Sequence, residues 1–119
     1  MAVCLGGWAL TRPSSTERLI ATIADLNAQM PRRVDDATTE THLGLGNHVL
    51  FDHFTVTRLF DDSPAAMAGL HEAMLRHTCA NPAARVLLGK GWAIENIYSV
   101  TTQHGPDQIG LRVNPSDCG

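Results

Sequence analysis

The sequence predicts an α+β fold: one antiparallel sheet of about four strands, arranged as two hairpins, packed against two main helices in the order α-β-β-α-β-β. Three observations carry this. Two segments repeat apolar residues with the helical period. Other segments alternate with the strand period or are rich in β-branched and aromatic residues. Turn residues join those strand segments in pairs.

The first helix is expected over residues 16–30. Ser15 can cap it, and Leu19, Ile23, Leu26 and Met30 form one apolar stripe. Pro31 ends it, because proline disfavours helix in the residue before it and has no N–H to donate. Residues 38–45 then alternate weakly, Gly46-Asn47 reads as a two-residue turn, and residues 48–59 form the longest strand candidate. Asp61-Asp62-Ser63-Pro64 is a helix start, with a capping oxygen and a proline in the first turn. The helix it opens reaches about His77 and buries Met67, Leu70, Met74 and Leu75. Asn81-Pro82 breaks the chain before a short helical turn over residues 83–88. The last pair of strands alternates over residues 92–101 and again at Ile109, Leu111 and Val113, joined by a turn at His104-Gly105-Pro106-Asp107.

At 119 residues this is a single domain, taken here as residues 16–119. Residues 2–10 are apolar, uncharged and interrupted by Gly6-Gly7. Residues 1–10 fit the remnant of a signal peptide or membrane anchor, or a frayed N-terminal strand, with 11–15 as a linker. The formal charge is −3 and the one dense basic spot, Arg32-Arg33, is followed by Asp35-Asp36. That excludes a phosphate-tracking surface, so no nucleic acid partner is expected.

The sequence offers little chemistry. No GxSxG is present, Gly44-x-Gly46 lacks the third glycine of a nucleotide loop, and the serines fall in caps, turns or strands. His48 and His53 point to opposite faces of one strand, and His77-x-Cys79 has no accompanying ligand pair. We therefore expect no catalytic residue, no metal and no cofactor. The three cysteines are Cys4, Cys79 and Cys118. Cys79 follows a helix and Cys118 is penultimate, so a disulfide between them would tie the chain end to the helix end. Two free thiols are the alternative that position alone leaves open.

Several motifs resemble, in order, those of a family of small bacterial exported proteins of unknown function. Asn27-Ala28-Gln29-Met30-Pro31-Arg32-Arg33-Val34-Asp35 is similar to its N-x-x-(L/M)-P-x-x-V-D opening. The strand with Phe51 and Phe54 resembles its tyrosine-rich strand, although Phe51, His53 and Phe54 stand where tyrosines are usual. Cys79-Ala80-Asn81-Pro82 and Pro115-Ser116-Asp117-Cys118 are similar to its C-x-N-P and P-x-D-C elements. Lys90-Gly91, followed by Tyr98-Ser99, resembles its N-G-V-x-x-x-Y-x-Y strand. The likeness covers roughly residues 25–118. It implies the Cys79–Cys118 disulfide, a periplasmic location and an N-terminal segment that can tether the chain to the inner membrane. It implies no catalytic residue.

The expected function is a non-catalytic periplasmic domain that binds an envelope or secreted protein, with Phe51, His53, Trp92 and Tyr98 on the exposed sheet face as contact candidates. An immunity or inhibitor protein is the second reading, and a small ligand carrier or enzyme the third.

Overall fold

The computed structural model describes residues 15–119. Residues 1–14 lie outside them, and with them the anchor remnant and all but the last residue of the expected linker. Ser15 itself opens a helix. The elements are α1 (Ser15–Asn27), β1 (Arg32–Arg33), β2 (Thr38–Gly46), β3 (Val49–Leu59), α2 (Pro64–Ala80), α3 (Pro82–Gly89), β4 (Ala93–Thr102), β5 (Gly105–Val113) and a closing 3₁₀ turn, Pro115–Cys118.

The fold is α+β, but the expected sheet needs correction. Among the described residues there are five strands in the order β1-β2-β3-β4-β5, and the sheet is mixed: β3 and β4 run parallel. Among the described residues three helices accompany it instead of two, the short turn expected over residues 83–88 forming the third. Both hairpins form, β2–β3 and β4–β5. What differs is how they join. The two helices between them carry the chain back along the sheet, so β4 starts beside the start of β3, with Val49 opposite Ala93. A helical crossover permits this, whereas an alternating pattern carries no strand direction.

Local boundaries also shift. The β2–β3 turn consists of Asn47 and His48, at φ 50° and 60°, instead of Gly46-Asn47. Two successive left-handed residues suit the primed hairpin turn that matches strand twist. α1 stops at Asn27, three residues before its expected end, and the Met30–Pro31 peptide is cis. β5 begins at Gly105, so Pro106 lies inside an edge strand, where a missing N–H costs no ladder bond on the open side.

All three helices lie over one face of the sheet. Opposite residues in the register share a face, which places Glu40, Leu43, Asp52, Phe54, Asn96, Tyr98 and Ile109 on the helix side. Two clusters make the core. Phe54, Tyr98, Val100 and Ile109 pack with Met67 and Met74 of α2. Leu88, Ile94 and Val113 pack with Leu75 and the two cysteine side chains. Cys79 and Cys118 are bonded, with Cα atoms 5.4 Å apart, across a sequence separation of 39. The bond fixes the 3₁₀ turn to the end of α2.

Candidate functional site

The motif residues act first as joints. Asn27 closes α1 and grips β2: its Nδ2 donates to the Leu43 carbonyl at 2.9 Å, and its Oδ1 accepts from the Leu43 N–H at 2.7 Å. Asp35 accepts from the backbone N–H of Ala37 and Thr38, both at 2.8 Å, and these bonds hold its carboxyl below the usual range. Asn81 caps α3 through the N–H groups of Ala83 and Ala84. Asp117 accepts from the Asn114 N–H at 2.7 Å in the closing turn.

These joints set α1 over β2, and α2 with α3 over β4 and β5. Between the two groups the sheet is left open. The gap is a cleft of about 910 Å³. Leu19, Ile23 and Leu26 of α1 form one wall. Leu70 and Met74 of α2, with Leu87 of α3, form the other. Leu50, Phe54 and Ile94 lie along the floor. At the rim, Val34 and Val86 are 55% and 59% exposed and extend the apolar surface outward.

The floor also carries polar residues. Glu40 is 5% exposed and Asn96 is 4% exposed. Arg32, opposite Glu40 in the β1–β2 register, bonds its Oε1 at 2.7 Å. Asp52 hydrogen-bonds Glu40 through its side chain. Burial, then that bond and the negative charge of Glu40, push Asp52 up to about 9, against the smaller opposing pull of Arg32. Asp52 is therefore a neutral acid at pH 7. Asp52 Oδ1 and Asn96 Nδ2 are sealed from solvent and have no hydrogen-bond partner among the described residues. They belong to adjacent residues of the β3–β4 register. Tyr98 stacks on Phe54 at 4.8 Å and donates its hydroxyl to Met74 Sδ at 2.9 Å. Burial, then the nearby acids, push its phenol up to about 12.

The four residues expected to share an exposed sheet face are divided by the structure. Phe51 and His53 lie on the face away from the helices, where His53 stacks on His42 at 4.0 Å. Burial, then the adjacent His42, lowers the His53 pKa. Tyr98 is the correction: it lies on the helix side and is 8% exposed. Trp92 stands just before β4, against His48 at 4.9 Å, at one end of the cleft. Glu40, Asp52 and Asn96 escaped the sequence reading. For Asp52 and Asn96 the signal was present, since each falls at a strand position whose alternating neighbours are apolar; Glu40 stands between Thr38 and His42 and gave none.

The sequence matches no known protein family and no curated protein. The fold is shared with solved structures. A candidate secreted protein of Pseudomonas aeruginosa superposes with a TM-score of 0.70 at 14% identity, over 86% of this chain and 90% of that one. The type 2 secretion system pilotin of Vibrio vulnificus superposes with a TM-score of 0.65 at 14% identity, over 83% and 86%. At these identities the likeness is one of fold. No described helix is long and apolar enough to cross a membrane. The expected inner-membrane tether rests on residues 1–10, outside the described residues.

Proposed function

We propose that this chain is a non-catalytic accessory protein of the bacterial cell envelope that holds an apolar segment of a partner protein in the cleft between α1 and α2–α3. The carrying observation is the cleft itself, whose walls and floor are largely apolar and whose rim exposes Val34 and Val86. Exposed apolar surface of this kind marks a binding site. A periplasmic location fits the Cys79–Cys118 bond, which persists in oxidising compartments. Kinship of fold with a candidate secreted protein and with a secretion-system pilotin supports the same reading, as does the motif resemblance to exported proteins.

Two adjacent carboxyls, one neutral, are also raw material for acid–base catalysis. Here the Glu40 carboxylate, the one that would act as base, is already engaged by Arg32 at 2.7 Å. Binding is the better use of the site.

The test is co-purification from cells after crosslinking. Leu26→Arg and Leu70→Arg place a charge in opposite walls of the cleft, and Thr55→Arg places one on the helix-free face. An envelope partner should be recovered with wild type and Thr55→Arg and lost with the two cleft variants. Retention by both folded cleft variants would sink the proposal.

A further inference from the structure

The cleft floor is not uniformly apolar, and its polar atoms are unequal. Glu40 is satisfied by Arg32 at 2.7 Å. Burial and the neighbouring Glu40 keep the second carboxyl, Asp52, protonated at neutral pH. What is left is one acceptor, Asp52 Oδ1, and one donor, Asn96 Nδ2, both without partners. They sit on neighbouring strands at the same level of the register, and both residues line the cleft. An unpaired buried polar group costs about 1–3 kcal/mol, so two side by side just beneath a cleft floor are a standing deficit.

From this juxtaposition we infer that the partner segment carries one uncharged carboxamide, an Asn or Gln side chain, that seats on the floor between Asp52 and Asn96. The inference rests on the cleft being the docking site. A carboxamide offers an acceptor and a donor side by side from one planar group, whereas a neutral imidazole points its acceptor and donor apart. Its oxygen accepts from Asn96 Nδ2, and its NH₂ donates to Asp52 Oδ1. Each floor side chain reaches the guest by turning about χ2, a torsion with a broad minimum in Asp and Asn. A carboxylate guest would meet Glu40 and would leave Asp52 Oδ1 without a donor. A cationic guest would leave Asn96 Nδ2 unpaired and would need Asp52 to ionise. An aliphatic guest would bury both atoms unsatisfied. The remaining charged or titratable groups around the cleft are Arg18, Asp35, His77, Lys90 and Tyr98. They lie on α1, the β1–β2 connection, α2, the segment after α3, and β4.

The experiment is a display selection of random 16-residue peptides against the full chain, keeping peptides that lose binding to Leu70→Arg. The expected result is a set with apolar residues around one recurrent Asn or Gln. Replacing that residue by Leu or Glu in the synthetic peptide should weaken binding about 10- to 100-fold. Asn96→Leu should lose the same factor with the parent peptide and show no preference between it and its Leu form. The peptide-side replacements use wild-type protein, so they decide the matter even where Asn96→Leu fails to fold. Cleft-dependent peptides that lack the carboxamide, or that tolerate its replacement by Leu, overturn this inference and leave the docking site standing. A selection that yields no cleft-dependent peptide overturns both.

Discussion

The two sides of the helical layer are built differently. Over β4 and β5, the layer is made of two helices, each with a side-chain cap, and its end is bonded to the chain terminus by Cys79–Cys118. Both buried core clusters lie there. Over β2 the layer is one helix, gripped chiefly by Asn27 on Leu43. The stapled side can hold its shape with the cleft open. The α1 side has just enough attachment to be a wall. A domain that must keep an apolar cleft open does well to concentrate its rigidity on one side of it, because collapse of the other wall would close the site.

Breaking the stapled side should have the largest effect. Cys79→Ser removes a cross-link over a 39-residue separation and should cost about 4 kcal/mol in urea unfolding. The same loss should follow from Cys118→Ser, since either change frees the bond. Next in size is the cleft floor. The folded-state pKa of Asp52, about 9, lies above its ordinary 3.8. Its contribution to stability is therefore complete below about pH 4 and is lost as pH rises through about 9. Asp52→Asn keeps the bond to Glu40 with nothing to titrate. It should raise stability at pH 8 and flatten the wild-type decline between pH 4 and 9. Denaturant curves at pH 5 and pH 8 read both effects.

The α1 attachment is weaker. Asn27→Ala removes both bonds to Leu43 and should cost about 2 kcal/mol. Hydrogen exchange should rise in Ser15–Asn27 and stay unchanged in Pro64–Ala80, an asymmetry that a uniform core would not show. Asn81→Ala, which uncaps α3, should cost about 1 kcal/mol. The smallest change is Glu72→Ala. Its exposed pair with Arg76 spans 3.4 Å, and urea unfolding should move by less than about 0.5 kcal/mol.

The stapled side was also the more legible one. The Met67, Leu70, Met74 and Leu75 stripe, the Ser63-Pro64 start and the position of Cys79 and Cys118 are local patterns, and local chemistry reads directly from sequence. The parallel β3–β4 pairing was not legible, because a strand's alternation is the same in either direction. Nor was the cleft. Leu19, Ile23 and Leu26 read as a core stripe, and they do face inward, but the distance from α1 to α2 is set by Asn27, the short β1 and the crossover, none of which is periodic. Asp52 and Asn96 were visible as polar breaks in apolar alternation, whereas Glu40, between Thr38 and His42, was not. Their meaning needed the register that brings them together.

The surface that receives the partner can be read directly in cells. A photo-crosslinking amino acid in place of Val34 or Val86 reports from the cleft rim, and one in place of Phe51 or Thr55 reports from the opposite face. Irradiation in cells should give one covalent adduct of defined mass from positions 34 and 86 and none from 51 and 55. Adducts from 51 and 55 alone would move the docking surface to the helix-free face and contradict the cleft.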